Sequence, residues 1–137
     1  AIIQVRTVRP TRTFLEKAFL LCEEFQKDNP RTLRMTRHLY DLYKLAQTPF
    51  AKEAMEDVEL YHKIVQHREA YYHIKYVDYS MLLPNAISFI PPENLIDDYK
   101  SDYQMMLQEY IYDDQAPSFE ELLDFMSQLQ QQFRNIH

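Results

Sequence analysis

The sequence predicts a mainly α-helical domain of about five helices, and three observations carry that reading. Apolar residues recur at three- and four-residue spacing over long stretches, as on the buried face of a helix. Ser/Thr-x-x-Glu patterns stand ahead of two of these stretches, and prolines punctuate the gaps between them. A chain of 137 residues that is 46% hydrophobic and 14% aromatic has enough apolar side chains for one core, so residues 1–137 read as a single helical domain.

The elements follow in order. Ile2-Ile3-Gln4-Val5-Arg6-Thr7-Val8 is β-branched and partly alternating, so residues 1–9 read as a strand. One strand leaves its backbone donors and acceptors unpaired, so its sheet is expected from an upstream domain, another copy of the chain, or the short segment near Ile87 to Ile90. An upstream domain is the preferred source. After Pro10, Thr13 with Glu16 reads as a capping box, and Phe14, Ala18, Leu21, Cys22 and Phe25 continue a helix to about Lys27. Asp28-Asn29-Pro30 breaks it. Thr36 reads as the N-cap of a second helix through Leu39, Tyr40, Leu42, Tyr43 and Ala46, which stops at Thr48-Pro49. A short helix follows over Phe50 to Met55 and a longer one over Val58 to about Tyr72.

Val77 to Pro92 holds three of the seven prolines and reads as an extended surface connection, strand-like at Ile87-Ser88-Phe89-Ile90. From Glu93 to about Ile111, Leu95, Ile96, Tyr99, Tyr103, Met106, Leu107 and Tyr110 make a helical stripe. Ser118 with Glu121 caps a last helix whose apolar residues run from Phe119 to Ile136, with Gln128 to Gln132 on its polar side. The expected core gathers Phe14, Phe19, Leu42, Leu107, Leu122 and Met126.

Composition excludes several functions. The net charge of −6 gives no general attraction for nucleic acid or an anionic membrane, although nine of the fifteen basic residues lie before residue 45. No stretch approaches the ~20 apolar residues that span a bilayer. The single Cys22 cannot form an internal disulfide and sits among apolar neighbours, which is expected of a small buried residue in a reduced, cytoplasmic setting. Glycine is absent, whereas an average usage of about 7% predicts roughly ten. A glycine-dependent phosphate loop is therefore excluded, and a nucleotide site in this segment must be built from side chains.

Few patterns point to chemistry. Glu59 and His62 have Glu-x-x-His spacing, but a di-iron bundle needs a second such pair and two more inward carboxylates. Eleven tyrosines, among them Tyr71, Tyr72, Tyr76, Tyr79, Tyr99 and Tyr103, offer rings for RNA bases, yet tyrosine at helical spacing is more often half-buried core. The phrases Thr13-Phe14-Leu15-Glu16-Lys17 and Arg37-His38-Leu39-Tyr40-Asp41-Leu42-Tyr43 each place a charge on one side of a helix. If those helices pack side by side, Lys17 and Asp41 belong to one polyphosphate site, a cation for phosphate oxygens beside a carboxylate for a metal or a proton. The plainer reading is a solvated first turn for Glu16 and Lys17, and a surface pair of Asp41 with Lys44 or Arg37.

The run Arg9-Pro10-Thr11-Arg12-Thr13-Phe14-Leu15-Glu16-Lys17, with Leu20-Leu21, Glu23-Glu24-Phe25 and Arg34-Met35-Thr36-Arg37-His38-Leu39-Tyr40-Asp41-Leu42, resembles the AbiEii-type nucleotidyltransferase family. Its members are toxins of bacterial type IV toxin–antitoxin and abortive-infection systems. The likeness continues through Tyr61 to Arg68, Val77-Asp78-Tyr79, Phe89-Ile90-Pro91-Pro92, Asp98-Tyr99 and Ser118-Phe119. The family's N-terminal half carries a Gly-Ser turn and an acidic pair that binds Mg2+, and this chain matches the C-terminal half. The resemblance therefore implies an upstream α/β nucleotidyltransferase domain to which the N-terminal strand would belong. It implies that Lys17 holds the phosphates of a nucleoside triphosphate, that Asp41 completes the active site, and that Arg37 is a further nucleotide-binding candidate. The implied reaction attacks the α-phosphate with an acceptor hydroxyl, for example of a tRNA 3′ end or a protein side chain, and releases pyrophosphate. Mg2+ would be held mainly by the missing half, this segment alone would be inactive, and an antitoxin would be a partner. The competing expectation is a non-catalytic helical module that binds a protein partner or RNA.

Overall fold

The computed structural model describes residues 9–109 and 115–136. Six α-helices are present among them, one for each helical stretch of the sequence although the expected total was about five: α1 (Pro10–Glu24), α2 (Thr36–Ala46), α3 (Pro49–Glu56), α4 (Val58–Tyr72), α5 (Ile96–Glu109) and α6 (Phe119–Arg134). Short 3₁₀ turns cover Tyr79–Leu82 and Glu93–Leu95. There is no strand among the described residues. The expected strand over Ile2 to Val8, and Tyr110 and Ile111 at the end of the fifth helical stripe, lie outside them.

Helix α1 begins at Pro10, three residues before the expected cap at Thr13. Proline at the first helical position has its φ preset and no N–H to satisfy, so the helix starts without a side-chain cap. The Thr13 N–H already donates to the Arg9 carbonyl at 3.0 Å, which leaves Glu16 to reach another helix. The regular helix ends at Glu24, and tighter bonds from Gln26 to Glu23 and from Lys27 to Glu24 close the turn.

This helix is the axis of the fold. It packs against α2, α3 and α4, and Phe14, Leu15, Ala18, Phe19 and Leu21 are wholly buried. Burying each large side chain of that set stabilises the fold by about 1.5–3 kcal/mol. Phe133 of α6 lies 5.8 Å from Phe14, 6.2 Å from Tyr61 and 5.1 Å from Phe89, measured between ring centres. One phenyl ring thus joins α1, α4, α6 and the long connection in a single aromatic cluster. Of the expected core, Phe14, Phe19, Leu42, Leu122 and Met126 are fully buried, while Leu107 sits at the edge and Tyr103 and Met106 take the inward positions of α5.

The connection from Val77 to Pro92 differs from the expected surface crossing. Val77, Tyr79 and Leu82 are buried, and alternate residues Ile87, Phe89 and Pro91 point inward with the period of extended chain. Side chains replace a neighbouring strand in holding it. Gln130 accepts the Phe89 N–H at 3.1 Å, Arg134 donates to the Pro84 carbonyl at 3.1 Å, and the Tyr61 hydroxyl donates to the Leu82 carbonyl. Gln130 therefore anchors the connection instead of lying on a purely polar face. The Ser118–Glu121 capping box at the start of α6 is present as expected. No helix among the described residues is long and apolar enough to cross a membrane.

Helix α2 is started from a distance. Thr36 is its first residue rather than its cap, and the capping carboxylate comes from Asp102 of α5. Asp102 accepts from the backbone N–H of Arg34 at 2.7 Å, from that of Thr36 at 3.0 Å and from the Thr36 hydroxyl at 2.6 Å. Arg34 adopts φ 62°, a left-handed conformation that is uncommon outside glycine, and its bond to Asp102 helps to hold it there. Asp102→Ala strands these donors in a buried place and is expected to cost about 2–3 kcal/mol, read as a lower urea midpoint with an unchanged slope.

Candidate functional site

The packing of α1 on α2 brings Lys17 and Asp41 together. The Lys17 Nζ lies 3.1 Å from Asp41 Oδ2, and the two side chains are 23% and 43% exposed. The same ammonium lies 3.2 Å from His38 Nδ1. His38 and Asp41 are three residues apart on α2, so both project to the side that meets α1. A lysine ammonium can only donate, so His38 Nδ1 must accept and the ring must carry its proton on Nε2. Burial pushes the His38 pKa below its ordinary value of 6.5, the charges of Lys17, Arg37 and Arg31 push the same way, and Asp41 opposes them. His38 belongs to the phrase that contained Asp41, and its three-residue offset was the signal available for it in the sequence.

A pocket of about 290 Å³ opens beside this triad, lined by Thr13, Glu16, Lys17, Leu20, Arg68 and Tyr72. One of its lining residues, Arg68, belongs to a buried ion pair. Arg68 of α4 donates through Nε and Nη2 to the two carboxylate oxygens of Glu23, each at 2.7 Å, and both side chains are under 10% exposed. Its Nη1 reaches Glu16 at 3.5 Å, and Glu16 also pairs with Arg12 at 3.6 Å. Burial works against the Arg68 charge, but the hydrogen bonds and charges of Glu23, then the charge of Glu16, outweigh it and raise its pKa. The guanidinium also covers the Tyr72 ring at 5.1 Å from its centre.

Arg37 lies elsewhere. It is exposed and lines a hollow of about 210 Å³ with Leu33, Arg34, Asp102, Met105, Met106 and Glu109. It reaches the Lys17 triad through its charge on His38. Cys22 is buried, with its thiol 3.5 Å from the Met81 carbonyl, and burial raises its pKa. Glu59 and His62 are both exposed on α4, where Glu59 pairs with Lys63 at 3.5 Å.

The tyrosines divide. Tyr61, Tyr99 and Tyr103 are buried and donate their hydroxyls to the carbonyls of Leu82, Arg31 and Pro117, so they are core. Tyr79 is buried as well. Tyr71, Tyr72 and Tyr76 are exposed, with Tyr71 at 74% and stacked 5.5 Å from His67.

Residues 1–125 match the family model described as nucleotidyl transferase AbiEii toxin, type IV TA system. The chain belongs to the AbiEii family. The paired Lys17 and Asp41 thus lie within the part of an AbiEii chain that the match covers. No match was found among curated proteins or among solved structures.

Two measurements follow from the charges around α1 of this AbiEii chain. Arg68→Met leaves the buried Glu23 carboxylate uncompensated and is expected to cost about 3–5 kcal/mol in chemical denaturation, whereas adding Glu23→Gln recovers much of the loss. His38 is held neutral, so its contribution to stability is fully present above pH 6.5, the unfolded value, and is lost as pH falls through its lower folded value. His38→Asn is expected to flatten that acid-side decline in a stability–pH curve.

Proposed function

We propose that this chain is the C-terminal part of a nucleotidyltransferase, in which Lys17 holds the phosphates of a nucleoside triphosphate and Asp41 orients Lys17 or assists the proton transfer. One observation carries the reading: the Lys17 ammonium is fixed at the rim of a pocket by two side chains of a different helix. A salt bridge this exposed contributes about 0–1 kcal/mol to stability, so the arrangement is poorly explained as scaffolding. His38 and Asp41 take two of the three N–H donors of Lys17, and the third is left for a phosphate oxygen.

The chemistry would be attack of an acceptor hydroxyl on the α-phosphate, with pyrophosphate leaving, and the acceptor would be an RNA such as a tRNA 3′ end or a protein side chain. Lys17 would neutralise charge that grows on the phosphate oxygens. Among the described residues no group of three or more His, Cys, Asp or Glu side chains gathers to hold a metal. Asp41 is the one carboxylate among the described residues that pairs with Lys17 and is occupied by it, so these residues do not fit Mg2+, whose ligands would come from outside this segment. Arg37, in its separate hollow, is a weaker candidate for the nucleotide. An antitoxin partner accords with the family.

A second reading, a non-catalytic module that binds a protein or RNA, has the exposed Tyr71, Tyr72 and Tyr76 in its favour. The two separate in an assay of the native protein with Mg2+, each nucleoside triphosphate and cellular RNA or protein acceptors. Lys17→Ala and Asp41→Ala are each expected to abolish nucleotide transfer while the circular dichroism and melting temperature stay close to those of the parent. Unchanged turnover in either variant would remove the assignment. Loss of RNA or protein binding on Tyr71→Ala, with no transfer by the parent, would favour the module.

A further inference from the structure

We propose that His38 is a positioning residue for Lys17: its neutral ring, protonated on Nε2, accepts from the ammonium and holds it at the α1–α2 seam in the orientation that meets phosphate. This rests on the nucleotidyltransferase reading of Lys17. The two acceptors on Lys17 differ in kind. Asp41 attracts the ammonium by charge, which acts over distance and with little direction, and it offsets part of the positive charge that a phosphate would seek. His38 Nδ1 is a single lone pair in the plane of a half-buried ring, so it fixes direction and leaves the charge intact. A lysine has a flexible four-carbon stem, and with Asp41 alone the ammonium would pivot about a half-exposed carboxylate.

Protonation of His38 would replace that lone pair with an N–H facing the ammonium. Its surroundings resist this. From α1 it faces Lys17, from α2 it meets Arg37 and the opposing Asp41, and from the loop before α2 it feels Arg31. The positive charges outnumber the negative one, and the ring is partly withdrawn from water. The ring therefore stays an acceptor across the neutral range. In more acid solution it becomes a cation, the Lys17 contact breaks, and transfer falls.

The test uses the native protein, with His38→Asn and His38→Leu. Asparagine places its amide oxygen one bond beyond Cγ, where the imidazole carries Nδ1, so it restores the acceptor without the titration. Leucine keeps bulk and removes the acceptor. Nitrogen-15 NMR of the histidine rings is expected to show His38 in the Nε2–H form, and Lys17→Met is expected to raise its pKa by removing a neighbouring positive charge. An Nδ1–H ring, or a pKa that Lys17→Met does not move, would overturn the contact whatever the enzyme does.

In the transfer assay His38→Leu is expected to lower kcat by about a hundred-fold with the melting temperature little changed, the scale of a mispositioned catalytic group. His38→Asn is expected to keep most of kcat and to lose the acid limb of the pH profile. Parental activity in His38→Leu, or equal loss in both variants, would overturn the positioning role. If Lys17→Ala leaves transfer intact, the nucleotidyltransferase reading fails and the role fails with it, while the NMR result on the contact stands. If Lys17→Ala abolishes transfer and His38→Leu does not, the role alone fails.

Discussion

The deep burial of most of α1 is the constraint from which the site follows. No residue from Thr11 to Glu24 is fully exposed, yet that stretch carries Arg12, Glu16, Lys17, Glu23 and Glu24. A charge withdrawn from water without a partner is expensive, so a helix in this position must find a counter-charge for each. It does so: Arg12 with Glu16, Lys17 with Asp41, Glu23 with Arg68, and Glu24 with Lys27 at 2.6 Å. The buried pair also fixes a neighbour in register: Arg68 sets α4 against one side of α1. Asp41 and His38 of α2 meet Lys17 on another.

Depth separates the two inter-helix contacts into different physical roles. The Arg68–Glu23 fork is nearly dry and doubly hydrogen-bonded, so either partner alone would be a buried charge, and the pair is indispensable once present. The Lys17–Asp41 pair is wetter, so the ammonium stays within reach of solvent and of a ligand. Glu16 and Lys17 are consecutive, and the helical turn of about 100° between them directs one toward Arg68 and the other toward α2. The pocket between these directions is lined by Glu16 and Arg68 and by Lys17, whose ammonium is held by Asp41 and His38.

Local signals were legible in the sequence and non-local ones were not. The Ser118–Glu121 box formed as its local spacing predicts. The same pattern at Thr13 and Glu16 failed because Pro10 starts the helix earlier and Glu16 is drawn to Arg68, 52 residues away. Thr36 sits at the start of α2, as its position suggests, but its cap is Asp102, 66 residues along the chain, and no spacing rule reaches that far. Leu107 and Met106 are adjacent in the fifth stripe, and it is Met106 that is buried while Leu107 is half-buried. Lys17 and Asp41 were paired by resemblance to a family rather than by periodicity. His38 stood in the same phrase, but only the packed seam shows that its ring and not a neighbour meets the ammonium.

Absence of glycine gives the site its form. Loops that cradle phosphates with backbone N–H groups rely on left-handed residues that glycine adopts without strain, and this chain of 137 residues has none. Its described left-handed positions fall on Arg34 and His73, which bear the steric cost of a side chain. A segment of this composition that is to contact phosphate must do so with a side chain, and a side chain recognises a ligand well only when its own freedom has been removed beforehand. Helices remove it better than loops. Lys17 springs from the most enclosed helix of the fold and ends between two acceptors of the next, so the rigidity that a glycine loop draws from its backbone is supplied here by packing and by two hydrogen-bond partners.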